Sequence, residues 1–67
     1  MKSITAKEKK VLELISQGFS TSEIAIELGI SPNTVESHRK NLFTKFDARN
    51  APELILKAIQ AKAIIVK

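Results

Sequence analysis

The side chains with the clearest chemical potential lie between positions 33 and 44. Hydrogen-bonding residues recur there at spacings of three and four, which bring side chains to one side of an α-helix. Glutamate can accept a hydrogen bond from cytosine N4, lysine can donate to guanine O6 and N7, and asparagine can pair with adenine. The pattern predicts a helix that lies in the major groove of DNA. Its predicted base contacts are Asn33, Glu36, Ser37 and Lys40.

Further polar side chains extend or flank this face, towards the two walls of a groove. Side chains in such positions bind phosphate oxygens, which fix the register of a protein without selecting a sequence. The predicted phosphate contacts are Thr34, Arg39, Asn41, Thr44 and Lys45.

A simpler interpretation of the same face stays open at this point. Any exposed helix face is polar, and Glu36 with Lys40 is also the i,i+4 spacing of an ordinary ion pair, worth roughly a few tenths of a kcal/mol. In that case the face is merely solvated.

The opposite side of the same helix is predicted to face a hydrophobic core. Val35, Leu42 and Phe46 fall together there at helical spacing, and His38 lies among them. The chain has no cysteine and no second histidine. We therefore expect His38 to be a packed residue, and we predict no metal site and no catalytic residue.

Capping signals divide the chain into helices. Thr5 with Glu8 and Ser20 with Glu23 have the form of capping boxes, which satisfy free amides at a helix start. Ser31 precedes a proline, which is favoured at the first helical position. The predicted helices cover residues 5 to about 17, 20 to 29, 32 to about 46, and 50 or 51 to beyond 62.

The second and third helices are joined across residues 28–31 by a turn that contains Gly29. Glycine permits a sharp bend, and the small Ala25 lets two helix axes approach closely. This arrangement has the form of a helix-turn-helix, although an ordinary helical corner has the same form.

Length and composition limit the classes of protein. The chain has 67 residues, 43% of them hydrophobic, which suits a single domain over residues 1–67 with one small core. There is little room for a substrate cleft, so an enzyme is not expected. The net charge of +4 favours polyanionic partners but is weak evidence alone. The longest apolar run, residues 63–66, is too short to span a membrane, and we expect a cytoplasmic protein without a cofactor.

The fourth helix has a second apolar strip. Its predicted core stripe consists of Leu54, Ile55, Ala58 and Ile59, whereas Leu56 lies away from the stripe and Ile59 is at its edge. An outward apolar strip suggests a partner, although single exposed leucines are common. The predicted dimer contacts are Leu56, Ile59, Gln60 and Ala63.

Several short segments of the chain together form a recognisable pattern. They are Ile4 to Glu8, Val11-Leu12, Gly18, Ser22 to Ala25, Leu28 to Ser31, Thr34 to His38 and Asn41-Leu42. This pattern resembles the DNA-binding domain of LuxR-type regulators, including the NarL/FixJ class of response regulators, and it covers nearly the whole chain. The resemblance implies a four-helix domain that binds duplex DNA as a homodimer, with helix 3 in the major groove and helix 4 at the two-fold contact.

The chain departs from the family pattern at six positions, which are Glu36, Phe46, Asp47, Ala48, Ala51 and Lys62; Phe46 and Ala48 replace leucine and valine. Glu36 stands where lysine is frequent, which implies a different base preference. Ala51 replaces a frequent arginine, and Asp47 and Lys62 replace glycines.

Two rival functions remain at this point. A sigma-factor region also uses a helix-turn-helix on promoter DNA but acts bound to RNA polymerase, which is a further candidate partner here. A helical protein-interaction module would use its fourth helix for a partner and would show no salt-dependent DNA binding.

Overall fold

The computed structural model describes residues 4–63. They form four helices and no strand: α1 (Ala6–Ser16), α2 (Thr21–Leu28), α3 (Pro32–Phe46) and α4 (Ala51–Gln60). The predicted all-α class is confirmed. The apolar run 63–66 lies outside the described residues except for Ala63.

Each helix begins at a residue whose side chain accepts a hydrogen bond from the backbone amide three positions later. Both predicted capping boxes are present: the Thr5 amide donates to Glu8 Oε1 at 3.0 Å, and the Ser20 amide donates to Glu23 Oε1 at 2.8 Å. Caps of this kind contribute about 1 kcal/mol each. The four capping residues are Thr5, Ser20, Ser31 and Asn50.

The chain leaves all four helices in the same way. A residue with positive φ follows the helix, and the amide after it donates back to a carbonyl five positions earlier, which is the Schellman arrangement. The positive-φ residues are Gly18, Gly29, Asp47 and Lys62, and the bonds run from Phe19 to Leu14, Ile30 to Ala25, Ala48 to Phe43 and Ala63 to Ala58. The residue that donates is apolar each time and packs against the core. Local hydrogen bonds therefore close both ends of every helix.

The end of α4 differs from the prediction. The sequence predicts a helix that continues beyond Lys62, but α4 ends at Gln60. Lys62 has a φ of 60°, and this left-handed conformation stops the helix.

The helix α3 lies at the centre and packs against the other three. The predicted core positions Val35, Leu42 and Phe46 are buried, and His38 is half-buried on the same side. Ile59 is 37% exposed, so its predicted place in the α4 core stripe is wrong; Leu54 and Ala58 occupy that stripe. The largest fully buried side chains of the core are Val11, Leu12, Ile24, Val35, Leu42 and Leu54.

Candidate nucleic-acid interface

The outward face of α3 carries the polar residues that the sequence indicates. Asn33, Glu36, Ser37, Lys40 and Thr44 are all exposed. Core packing of the opposite face fixes the rotation of α3, so these side chains share one surface. Their contacts with DNA remain a prediction, and the face has the chemistry to make them.

Among the four predicted base contacts, Glu36 is the one whose side chain has partners within residues 4–63. Its Oε1 accepts a hydrogen bond from Thr21 Oγ1 of α2 at 2.8 Å and lies 3.4 Å from Arg39 Nε. The simpler interpretation of the face expects a pair between Glu36 and Lys40. Within residues 4–63 the ion pair of Glu36 is instead with Arg39, and the Lys40 ammonium makes none. Lys40 is therefore available to a ligand.

Arg39 lies on the shoulder of α3 that faces α2. Its guanidinium carbon lies 5.7 Å from the centroid of the Phe43 ring, at the distance of a cation–π contact. The Glu36 carboxylate and the Phe43 ring thus fix the direction of this side chain.

The other predicted phosphate contacts on α3 differ in their surroundings. Thr34 Oγ1 lies 2.9 Å from Ser31 Oγ at the helix start, and Thr44 Oγ1 donates to the Lys40 carbonyl at 3.0 Å. Both threonines and Asn41 are exposed. All three side chains are accessible to solvent, and their contacts with phosphate stay a prediction.

Lys45 turns away from this surface. Its Nζ donates to Glu8 Oε1 of α1 at 2.6 Å, and its side chain is only 20% exposed. Glu8 is itself buried, and it also accepts from the Thr5 amide. Hydrogen bonds from Lys45 and the Thr5 amide lower the pKa of Glu8, against the opposing effect of burial, and Asn41 adds a smaller effect. The ammonium of Lys45 is therefore held at the buried Glu8 and not on the exposed face of α3.

A second exposed surface lies on α4. Leu56 is 55% exposed, and Ile59 and Gln60 are exposed beside it. Ala63 is half-buried against the core, so it lies at the edge of this surface. One other large apolar side chain among the described residues is more exposed than Leu56: Ile26 of α2, at 82%.

Comparison with known protein families identifies the family of this chain. Residues 2–58 match the family of bacterial regulatory proteins described as the luxR family. The chain belongs to this family. It is thus a LuxR-type helix-turn-helix DNA-binding domain of the kind found in transcriptional regulators, a family of transcription factors and not of enzymes.

Individual relatives agree with this assignment. The transcriptional regulatory protein FixJ of Azorhizobium caulinodans is 43% identical over 58 residues, which are 87% of this chain and 28% of FixJ. The response regulator ChrA of a heme-sensing two-component system superposes with a TM-score of 0.90 at 30% identity, over 96% of this chain and 32% of ChrA. The transcription factor GerE superposes with a TM-score of 0.87 at 28% identity, over 96% of this chain and 97% of GerE. This LuxR-type domain therefore spans less than a third of FixJ and of ChrA.

The structure shows the backbone conformation at two departures from the LuxR family pattern. Asp47 and Lys62, which replace glycines, have φ values of 52° and 60°. Glycine adopts this conformation without steric cost, and aspartate tolerates it better than most residues. At Asp47 the ammonium of Lys57 donates to the backbone carbonyl at 2.7 Å and ties α4 to this turn.

Sequence reasoning missed Thr21 and Lys57 in this LuxR-type domain. Each acts across two helices, through Glu36 and the Asp47 carbonyl respectively. No motif marks such contacts, because they depend on how the helices pack.

Within residues 4–63 no helix is both long and apolar enough to cross a membrane. In the same part of the chain, no three side chains of the metal-ligating types are grouped to hold an ion.

Proposed function

We propose that this chain is the operator-reading part of a bacterial transcription regulator, with α3 in the major groove and two copies on paired half-sites. The observation that carries the proposal is the outward face of α3. Asn33, Ser37 and Lys40 are exposed, and their side chains make no hydrogen bond or ion pair within residues 4–63. Polar groups without internal partners can bind base edges without first breaking a bond.

The roles along α3 follow from the contacts. Asn33, Ser37 and Lys40 reach base edges. Glu36 does so through Oε2, because Thr21 is bound to its Oε1. Side chains on the rim hold phosphates. These are Thr34, Arg39, Asn41 and Thr44. Lys45 is left out, because its ammonium is bound to Glu8.

The test measures affinity for a duplex selected from a random pool. Lys40→Ala should weaken binding by about 1–3 kcal/mol, because a bidentate contact to guanine is lost. Lys9→Ala on α1 is the matched control, because Lys9 is also exposed and its replacement removes the same charge from the chain. Equal affinity losses in the two variants would mean that Lys40 contributes only its positive charge, and this result would refute the assignment of Lys40 to the groove.

The salt dependence of the same binding separates a DNA reader from a protein-interaction module. Neutralised phosphates release counterions, so log K of the parent chain should fall steeply with log salt. Lys40→Ala should weaken binding chiefly to the selected sequence and much less to unrelated duplex. Binding of the parent chain that does not depend on salt would contradict the proposal.

The second half of the proposal is a dimer on DNA through α4, formed by Leu56, Ile59 and Gln60, with Ala63 at the edge. Its support is the 55% exposure of Leu56 beside an exposed Ile59. Leu56→Gln should reduce the affinity ratio between a duplex with two half-sites and a duplex with one. Ile26→Gln, at a more exposed apolar position on α2, should leave that ratio unchanged. A ratio that Leu56→Gln does not change would remove α4 from the dimer.

The relatives suggest the setting. FixJ is a transcriptional regulatory protein and ChrA a response regulator, and each is more than three times as long as the segment that matches. We propose that this domain supplies the same step of DNA binding, in the bacterial cytoplasm where the chromosome lies.

A further inference from the structure

The hydroxyl of Thr21 makes a hydrogen bond that joins the two helices of the helix-turn-helix. Thr21 is the first residue of α2 and is half-buried. Its Oγ1 donates to Glu36 Oε1 at 2.8 Å, across 15 positions of sequence. Thr21 precedes α3 in the chain and lies outside its outward face, so the predicted contact residues do not include it.

The bond treats the two carboxylate oxygens of Glu36 unequally. Oε1 accepts the hydrogen bond from Thr21 Oγ1, and it also lies 3.4 Å from Arg39 Nε in the ion pair. Oε2 accepts no hydrogen bond within residues 4–63, and the side chain is 62% exposed. One oxygen is therefore anchored, and the other is an acceptor that faces solvent.

An anchored carboxylate differs from a free one as a reader of bases. An ordinary surface glutamate samples many rotamers and loses that freedom on binding, which lowers affinity. Glu36 has given up part of that freedom in the folded domain already. Arg39 also offsets the negative charge of Glu36, which would otherwise repel nearby phosphates.

We propose that Thr21 is a positioning residue for sequence recognition: it holds Glu36 so that Oε2 accepts from the exocyclic amino group of a base in the major groove. Cytosine N4 and adenine N6 are the two such groups there, whereas guanine and thymine present carbonyl oxygens that repel a carboxylate. The inference rests on the proposed function, because it requires α3 to lie in that groove.

The test is selection of bound duplexes from a random pool by the whole chain, followed by affinity measurements on single-base variants of the selected site. Alanine at Glu36 first identifies the base position that Glu36 reads, and the selected base there distinguishes cytosine from adenine. Thr21→Val keeps the shape of threonine without the donor. It should reduce the preference for the amino-bearing base at that one position by about fivefold or more, and leave the other positions unchanged.

Three further variants separate positioning from folding. Thr21→Ser keeps the hydroxyl and should restore the preference. Ser22→Ala removes a neighbouring exposed hydroxyl of α2 and should leave it unchanged. In a Glu36→Ala background, Thr21→Val should have no effect on base preference. Thermal unfolding checks each variant, and Thr21→Ala replaces Thr21→Val where the latter does not fold.

The outcomes are distinct. If the parent chain selects no sequence, the proposed function itself fails. If it selects a sequence in which Glu36→Ala changes no base preference, or if folded Thr21→Val keeps the parent preference, the positioning role is wrong while the proposed function stands.

Discussion

Replacing Asp47 with glycine is expected to stabilise the domain. Asp47 has a φ of 52° immediately after α3, where a side chain carries a steric cost of roughly 1–2 kcal/mol. Aspartate tolerates this conformation better than most residues, so the cost here lies at the low end. Glycine also gives the unfolded chain more conformational freedom, which offsets roughly 0.4–1 kcal/mol of the stability gained by removing the strain. The net gain is about 0.5 kcal/mol.

Two observations make the site suitable for this change. Asp47 is exposed, and its side chain makes no hydrogen bond or ion pair within residues 4–63, so glycine removes no contact. The bonds that hold the turn involve the backbone: the Asp47 amide donates to the Thr44 carbonyl, and the Asp47 carbonyl accepts from Lys57. Glycine retains both.

Thermal and urea unfolding of the parent chain, Asp47→Gly, Asp47→Asn and Asp47→Ala measure the effect. In a domain of this size, about 0.5 kcal/mol raises Tm by roughly 2–4 °C. Asparagine should fall near the parent, since it also adopts left-handed conformations, and alanine should lie below it. If alanine matches or exceeds glycine, strain at φ 52° is not what limits stability here.

Two further perturbations concern the core and the Glu8 pair. Leu12 is fully buried, so Leu12→Ala should cost about 2–5 kcal/mol, enough to unfold most of a domain this small, and circular dichroism at 25 °C checks it. The pKa of Glu8 is lowered in the folded chain, so its contribution to stability is complete above the ordinary glutamate pKa of about 4.3 and is lost as the pH falls through the lowered value. Urea unfolding of the parent chain and Glu8→Gln across that pH range should show their stability difference shrink on acidification; a constant difference would mean that the ionised Glu8 does not stabilise the fold.

The elements that local sequence determines were predictable. Thr5 with Glu8 and Ser20 with Glu23 form the expected capping boxes, because each pair spans only three positions. The outward face of α3 was predictable for a similar reason, since helical spacing alone separates Val35 and Leu42 from Ser37. In contrast, the end of α4 at Gln60 depends on the left-handed conformation of Lys62. This end was not predictable, because glycine and not lysine is the residue type that favours that conformation.

The contacts between helices were not predictable. A helical wheel gives the direction of Lys45 but not the neighbour it meets, and that neighbour is Glu8 from 37 positions earlier. Glu8 was predicted as a capping residue alone, yet the same oxygen also binds Lys45. The spacing of residues along α3 suggests Lys40 or a base as the partner of Glu36. Its partner Thr21 is brought near by the packing of α2 against α3, which the spacing does not reveal.

Two side-chain hydrogen bonds that join α3 to neighbouring helices lie on opposite shoulders of α3. On one, Glu8 of α1 binds Lys45 at 2.6 Å, and on the other, Thr21 of α2 binds Glu36 at 2.8 Å. Between them, Asn33, Ser37 and Lys40 keep exposed side chains. The polar residues at the edges of α3 thus fix it against its neighbours, and those at the centre remain available. In the proposed binding mode, a helix held in this way would lose little further freedom on entering the groove, and binding energy would then be left for the choice of bases.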